Sequence, residues 1–240
     1  MCSPSFFHSG STGDVIYSLP TIIALSENKP AHVYLSPGTS QATFPRAYAE
    51  SLLPLLRSQP YIGTAGLANG GRIDYDLDRF RRCGLNLAAF SIARWYQAVW
   101  PISLDLSRPW LNVTPSEQFR GKIVLNRTTR YRNAKLSYSF LSGREDVVFV
   151  GTREEAAEIG GTVHRIPCFT ARNFLELAQW IAGCRLFVGN QSSCFALAEA
   201  LKVNRVLEVC PSTPNVIPEG PGAWLAFDQE KVRQALDLLE

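Results

Sequence analysis

The chain has 240 residues, of which 46% are hydrophobic and 19% are charged. This is the composition of a globular protein with a sizeable core, and it excludes a disordered chain or a fibrous repeat. The net charge of +3 is too small to indicate nucleic-acid binding by itself, because such binding requires clustered cations.

Strand and helix patterns alternate through the first hundred residues. The segment Phe6–Leu25 predicts a strand, a small polar loop and a helix. Within Arg72–Phe80 apolar residues alternate strictly with three aspartates, which indicates a strand. Pro101 ends the helix predicted over Asn86–Trp100. The elements predicted after the opening unit are a strand over His32–Leu35, a helix over Phe44–Arg57, a strand over Tyr61–Thr64, a strand over Arg72–Phe80 and a helix over Asn86–Trp100.

The segment Pro101–Gly121 carries three prolines and no sustained periodicity, which is typical of a connector. We therefore predict two domains, residues 1–112 and residues 113–240. The predicted strands of the second domain are Lys122–Asn126, Val147–Gly151, Arg185–Gly189 and Arg205–Val209, and its predicted helices are Asn173–Ala182, Ser192–Leu201 and Glu230–Leu239. Short connections and almost wholly apolar strands favour parallel sheets covered by helices. The predicted fold class is α/β, with two Rossmann-like domains whose parallel sheets face each other across a cleft.

An acidic residue, Asp14, lies where the first strand passes into the first helix. One interpretation is a helix N-cap, since Asp accepts backbone N–H bonds there. The other is a general base that takes a proton from an attacking hydroxyl. His8 precedes the loop and is a candidate for the border of an acceptor site, together with the loop residues Gly10, Ser11, Thr12 and Gly13. The two glycines allow a tight turn, but they complete neither a dinucleotide fingerprint nor a P-loop.

A second glycine-containing loop precedes the helix over Ser192–Leu201. Free backbone N–H groups at such a helix start suit a diphosphate, and a serine that merely caps the helix is the alternative. The candidate donor-binding residues in this loop are Gly189, Asn190, Gln191, Ser192 and Ser193.

Positive charge is concentrated between Gln118 and Arg144, a segment with seven Lys or Arg residues and no acid. Arg127, Arg130 and Arg132 follow the first strand of the second domain, where guanidinium groups could bind phosphate oxygens. The alternative is a solvated basic loop that touches nucleic acid. Glu208, at the end of a strand, is either a ribose ligand or a salt-bridged structural acid.

The segment "GSTGDVIYSLPTIIAL" resembles the opening G-x-x-G-D-V motif, with its following proline, of glycosyltransferase family 9, the ADP-heptose:lipopolysaccharide heptosyltransferases. The segment "LFVGNQSSCFALAEAL" resembles that family's donor-binding G-N-D-S-G motif. Its matching residues are Gly189, Asn190, Ser192, Leu197, Ala198, Ala200 and Leu201. Three positions depart from the family pattern, because Gln191 replaces an acid, Ser193 a glycine and Ala196 a histidine.

The resemblance implies a compact GT-B fold and an inverting, metal-independent glycosyl transfer in which Asp14 is the catalytic base. A nucleotide sugar is then the donor, and a hydroxyl on a glycan, a lipid-linked molecule or another compound is the acceptor. No cofactor and no nucleic acid are expected, and a peripheral membrane contact and a part in cell-surface glycan synthesis remain open. The alternatives are a sugar-nucleotide epimerase or hydrolase, or a catalytically inactive protein that binds a nucleotide sugar or nucleic acid.

The six cysteines are widely spaced and include no C-x-x-C pair, so we expect reduced thiols and no zinc site. The N-terminus lacks the pattern of a signal peptide, and no apolar run approaches the roughly 20 residues of a membrane-spanning helix. These features predict a cytoplasmic protein.

Overall fold

The computed structural model describes residues 3–38 and 44–239, and within them the strands form two parallel β-sheets. The first sheet has the strand order β3-β2-β1-β4. Its strands are β1 (Ser5–His8), β2 (Ala31–Leu35), β3 (Ile62–Leu67) and β4 (Tyr75–Asp76). Helices α1 (Thr12–Ser26) and α2 (Arg46–Arg57) pack on one face of this sheet, where Phe6, Val33 and Leu35 are fully buried. The predicted elements of this part are thus confirmed as far as β3.

Two predicted elements of the first part are wrong. The segment Arg72–Phe80 is a strand only at Tyr75–Asp76, because the Asp76 carboxylate accepts the backbone N–H of Asp78 at 3.0 Å and starts a 3₁₀ helix over Leu77–Arg82. Asp78 is buried, so the alternation of apolar residues with aspartates does not correspond to one buried and one exposed face. The predicted helix over Asn86–Trp100 is reduced to a 3₁₀ helix over Ile92–Ala98, and Phe90 interrupts it with a positive φ of 68°.

The second sheet has the strand order β10-β9-β8-β5-β6-β7. Its strands are β5 (Ile123–Asn126), β6 (Val147–Val150), β7 (Cys168–Phe169), β8 (Leu186–Asn190), β9 (Arg205–Glu208) and β10 (Ala223–Ala226). The helices of this part are α3 (Arg153–Gly160), α4 (Phe174–Gly183), α5 (Ser193–Leu201) and α6 (Gln229–Asp237). Sequence analysis predicted the other elements here but missed α3, β7 and β10. The start of α3 carries a capping box between Thr152 and Glu155, which is a signal that the sequence does contain.

Alternate residues of the second sheet enter two separate apolar clusters. One face, with Val124 and Phe187, joins α4 and α5, whereas the other, with Leu125 and Val188, joins α3 and α6. The first cluster continues into the first half of the molecule, because α1 packs against α5 and α2 packs against α4. Helix packing therefore sets the distance between the two sheets.

The segment between the sheets is also bonded to both halves. Trp110 donates its indole N–H to the backbone oxygen of Ile16 at 3.1 Å and its backbone N–H to that of Ala200 at 2.9 Å. A short 3₁₀ helix, Glu117–Phe119, lies near its end. The domain boundary between residues 112 and 113 falls in this segment and stays a prediction. None of the helices in the described part of the chain is both long and apolar enough to cross a bilayer.

Candidate active site

Each sheet has one position at which the direction of strand addition reverses. From β1 the chain adds β2 and β3 on one side and then β4 on the other. From β5 it adds β6 and β7 on one side and then β8, β9 and β10 on the other. Ligands of such sheets bind beyond the carboxyl ends of the strands at these positions. The candidate residues after β1, β5 and β8 therefore occupy the places that the topology favours.

The opening loop places Asp14 in the first turn of α1. The helix begins at Thr12, so Ser11 is the N-cap residue and the N-cap interpretation of Asp14 does not hold. The Asp14 carboxylate instead accepts the Ser11 hydroxyl on Oδ1 at 3.0 Å and the Arg81 guanidinium on Oδ2 at 2.5 Å. Its side chain is 17% exposed, so the group is not sealed from solvent.

His8 lies beneath the loop and is fully buried. Its Nδ1 accepts the backbone N–H of Gly10 at 2.9 Å, and its Nε2 lies 3.2 Å from the Tyr96 hydroxyl, which in turn donates to the Asp14 backbone oxygen. The 3.4 Å between Nδ1 and Asp78 is an ion pair only if the ring is protonated, whereas the Gly10 bond fits the neutral ring. Burial lowers the pKa of His8 and so favours the neutral ring as well.

This burial predicts a loss of stability in mild acid. The unfolded chain binds a proton at His8 below about pH 6.5, whereas the folded protein resists it, so the free energy of unfolding falls as the pH drops through that value. We expect a slope of up to about 1.4 kcal/mol per pH unit between pH 6.5 and 5.5 in urea unfolding. The slope should decrease in His8→Gln and persist in His164→Gln, because His164 is exposed. An equal slope in both variants would contradict this origin.

Sequence analysis missed Asp78, Arg81 and Tyr96, which lie more than sixty residues from Asp14 in the chain. Asp78 accepts the backbone N–H of Ser9 at 2.8 Å and the Ser9 hydroxyl at 2.6 Å. Burial alone would raise the pKa of Asp78, but the positive charge of His8 when this ring is protonated, the Ser9 hydrogen bonds and Arg81 outweigh it and lower this pKa. The only sequence signal was the run of acidic and basic residues in "DYDLDRFRR", which indicated an exposed strand face.

The second loop connects β8 to α5. Its side chains cap α5 and form hydrogen bonds to the chain after β5. Ser192 is the N-cap of α5, since its hydroxyl accepts the Phe195 N–H at 3.2 Å, which supports the capping interpretation. Asn190 is fully buried and its amide holds the chain after β5, accepting the Thr128 N–H at 3.0 Å and donating to the Arg130 backbone oxygen at 2.5 Å. Gly189 pairs with Asn126 in the sheet, so the two loops are neighbours.

Gln191, which stands where the resembling family has an acid, is turned away from this loop. Its amide donates to Thr213 O at 2.8 Å and to Asn215 Oδ1 at 2.7 Å, and its oxygen accepts the Cys210 N–H at 3.2 Å. Asn215 also donates to the Leu87 backbone oxygen at 2.8 Å. The Gln191 side chain thus connects the segment after β9, and through it the first half of the molecule, to the second loop.

Arg127 and Glu208 bind each other rather than facing outward. Two nitrogens of Arg127 donate to the two oxygens of Glu208 at 2.9 and 2.8 Å. Glu208 also accepts the Asn133 N–H at 2.7 Å and the Tyr138 hydroxyl at 3.0 Å, and its side chain has no exposed surface. This is the arrangement of the structural acid that sequence analysis kept as an alternative.

The remaining arginines of the basic loop differ in whether an acidic side chain pairs with them. Arg132 pairs with Glu158 and donates to the Thr128 backbone oxygen at 2.6 Å. Arg130 is exposed, lies 5.5 Å from the Tyr131 ring centroid and forms no ion pair within the described residues. Arg130 is therefore the guanidinium of this loop most available to an anion.

The first turns of α1 and α5 approach each other closely. A methyl group built on Gly13 would lie 3.9 Å from the Cα of Ser193 and 4.0 Å from its backbone nitrogen. Asp14 follows Gly13 directly in α1, so the helix turn that carries this acid lies against the start of α5. The fully buried Ala196 lies on the same side, 4.0 Å from that methyl position.

A surface cavity also lies elsewhere in the molecule. It measures about 690 Å³ and is formed by residues of α1, the connector and the end of α5, including Ile23, Tyr61 and Trp110. It contains no carboxylate, and we place the chemistry at Asp14 because the charged and amide groups converge there. Within residues 3–38 and 44–239, no three His, Cys, Asp or Glu side chains form a group that could hold a metal ion.

No protein-family model matches this sequence, and no curated protein matches it either. Solved structures do match. The E. coli ADP-heptose LPS heptosyltransferase II has a TM-score of 0.67 and 16% identity, over 99% of this chain and 98% of that chain. E. coli heptosyltransferase WaaC with ADP-2-deoxy-2-fluoro heptose has a TM-score of 0.63 and 11% identity, over 98% and 99%. A glycosyl transferase family 9 protein from Veillonella parvula has a TM-score of 0.61 and 14% identity, over 93% and 86%. The chain therefore has the fold of these transferases, which confirms the GT-B-like architecture expected from the two motifs.

Proposed function

We propose that this protein is an inverting glycosyltransferase that moves a sugar from a nucleoside diphosphate to a hydroxyl acceptor. The observation that carries the proposal is the approach of the Asp14 turn to the start of α5, where Gly13 and Ser193 are separated by little more than a methyl group. A general base and a diphosphate site must be neighbours for direct displacement at an anomeric carbon. The shared fold with heptosyltransferases, one of them solved with ADP, supports the same assignment.

In the proposed reaction the acceptor binds in the first half, beside the loop Ser9–Gly13. The acceptor oxygen attacks the anomeric carbon, its proton passes to the Asp14 carboxylate, and the bond between that carbon and the diphosphate breaks. The electron pair leaves with the nucleoside diphosphate. The backbone N–H groups at the start of α5 and the cation of Arg130 would stabilise the charge that builds up on it.

The other residues predicted to bind the donor are proposed to hold the basic loop in place rather than to contact the donor. Asn190 holds Thr128 and Arg130, and the Arg127–Glu208 pair fixes the base of the same loop. The loop that carries the phosphate-binding cation is therefore attached to the strand ends from beneath. Such attachment lowers the reorganisation that the site needs when the diphosphate binds.

Nucleotide binding tests this proposal directly. Nucleoside diphosphates of the common bases, and their sugars, should be screened by thermal shift and calorimetry. We expect at least one to stabilise the fold by about 2.7 kcal/mol at a hundredfold excess over Kd, which is a rise in Tm of about 5–10 °C. Arg130→Gln should weaken that binding about tenfold, because it removes a charge-assisted hydrogen bond.

The matched control is Arg165→Gln, since Arg165 is also exposed but precedes the amino end of the edge strand β7, whereas the proposed site lies beyond the carboxyl ends of the inner strands β5 and β8. It should bind the nucleotide like the unaltered protein. A flat thermal response to every nucleotide and sugar nucleotide would contradict the proposed function.

A second candidate is a nucleotide-sugar-binding protein without catalysis. The observation in its favour is that Gln191 is bonded to Thr213 and Asn215, and that Ala196 offers no polar group. Two positions that carry polar groups in the resembling family are thus not available to a donor sugar here. Tight nucleotide binding without acceptor-dependent release of the nucleoside diphosphate would favour this candidate.

A further inference from the structure

Arg81 connects two acids that come from different parts of the first half. Its Nη2 donates to Asp14 at 2.5 Å, and its Nε donates to Asp78 at 3.3 Å. Asp78 is buried and is held in turn by the backbone N–H and the hydroxyl of Ser9. A continuous chain of bonds therefore leads from the end of β1, through Asp78 and Arg81, to the carboxylate of the proposed base.

The loop backbone is shaped to accept this guanidinium. A Cβ on Gly10 would collide with Arg81 Nη2 and with the His8 ring, and it would lie 3.1 Å from Asp14 Oδ2. Gly10 also donates its N–H to His8, so its position is held from the buried side. The space beside Asp14 exists because residue 10 has no side chain, and Arg81 fills it.

From this geometry we infer that Arg81 and Asp78 are positioning residues for Asp14. The inference rests on the proposed function. Ser11 holds one carboxylate oxygen and Arg81 the other, so both bonds restrain the rotation of the carboxylate. Without the guanidinium the Asp14 side chain could turn away from the acceptor, and a misplacement of about 1 Å is enough to cost roughly a hundredfold in rate.

A neighbouring ion pair that does not contact Asp14 serves as a comparison. Arg82 and Asp76 lie on the same short segment, with 68% and 33% of their side chains exposed. Exposed pairs of this kind add little to stability. Arg81 is also partly exposed, at 35%, so we expect its pair with Asp14 to serve orientation more than folding.

The test compares four variants for acceptor-dependent turnover. Arg81→Ala should lower kcat about a hundredfold and leave the KM for the donor within about threefold. Arg81→Lys, which keeps the charge but not the fork, should retain activity within about tenfold of the unaltered enzyme. Asp78→Asn should lower kcat about tenfold, because Arg81 loses its anchor. Arg82→Ala is the control and should turn over normally.

Chemical rescue separates orientation from folding. Millimolar guanidinium added to the Arg81→Ala variant should raise its kcat at least tenfold. The Tm of this variant should stay within about 4 °C of that of the unaltered protein. If Arg81→Ala turns over normally while Asp14→Asn is inactive, the positioning role is wrong and the proposed function stands. A loss of activity that guanidinium does not rescue, with a much lower Tm, would also overturn the role. If Asp14→Asn is as active as the unaltered protein, or if no donor and acceptor pair gives turnover, the proposed function fails and the inference with it.

Discussion

Asp14→Asn should reduce acceptor-dependent turnover by about a thousandfold, because positioned proton transfer contributes roughly 10²–10⁴ to a rate. Asn has the same shape as Asp and can still accept the Ser11 hydroxyl, so the loop should keep its conformation. The lost group is the negative oxygen that takes the acceptor proton. The measurement is kcat with saturating donor and acceptor, together with the donor Kd from calorimetry. We expect the Kd to change by less than about threefold, since the donor is proposed to bind at α5.

The stability of the same variant separates catalysis from helix structure. Asp14 is not the N-cap of α1, so Asp14→Asn should lower the free energy of unfolding by no more than about 1 kcal/mol through the helix dipole and the partly exposed ion pair. Asp105→Asn is the control, because Asp105 is exposed on the connector. Normal turnover with a clear drop in stability would show that Asp14 has only a structural role.

Glu208→Gln should be among the most destabilising single changes in the second half. Removing one partner of a buried ion pair leaves the other charge uncompensated and costs about 3–5 kcal/mol. Here the orphaned group would be Arg127, whose side chain is 13% exposed, and the Tyr138 and Asn133 bonds would weaken as well. Urea unfolding measures this loss. The double variant Glu208→Leu with Arg127→Met should recover much of the lost stability, because replacing both charges by apolar groups is often neutral.

A matched control comes from the neighbouring pair of Arg132 and Glu158. Glu158 is 48% exposed, so Glu158→Gln should leave the free energy of unfolding almost unchanged. The comparison also decides between the two interpretations of Glu208. If Glu208→Gln unfolds like the unaltered protein but no longer binds the ribose of a nucleotide, Glu208 is a ligand rather than a structural acid.

Most of the buried strands were predictable, because a run such as "VVFV" over Val147–Val150 has an unambiguous local pattern. Errors occurred where tertiary contacts override local pattern. The strict alternation over Arg72–Phe80 ends as a 3₁₀ helix, since Asp76 caps the turn and Asp78 is pulled inward by Ser9. The predicted helix over Asn86–Trp100 gives way to a 3₁₀ helix because the aromatic residues Trp95, Tyr96 and Trp100 all enter the core.

The candidate site divides in the same way. The loops that lead into α1 and α5, whose first turns hold Asp14 and Ser193, were predictable, since each combines small residues with a helix start. The partners of those residues were not, because Arg81, Tyr96 and Asp78 reach Asp14 and His8 across 67 to 88 positions of the chain. Sequence spacing carries no information on contacts of that range.

The sequence by itself determined the α/β class, the two glycine-containing loops and the acid in the first helix, because these depend on local periodicity, backbone freedom and capping. Only the tertiary structure decided which charges are free. It assigned Arg127 to Glu208 and Arg132 to Glu158, and it left Arg130 exposed. It also brought Gly13 against Ser193, since the packing of α1 on α5 sets that distance. A charge is available to a ligand only if no other part of the fold neutralises it, and that depends on contacts between distant segments.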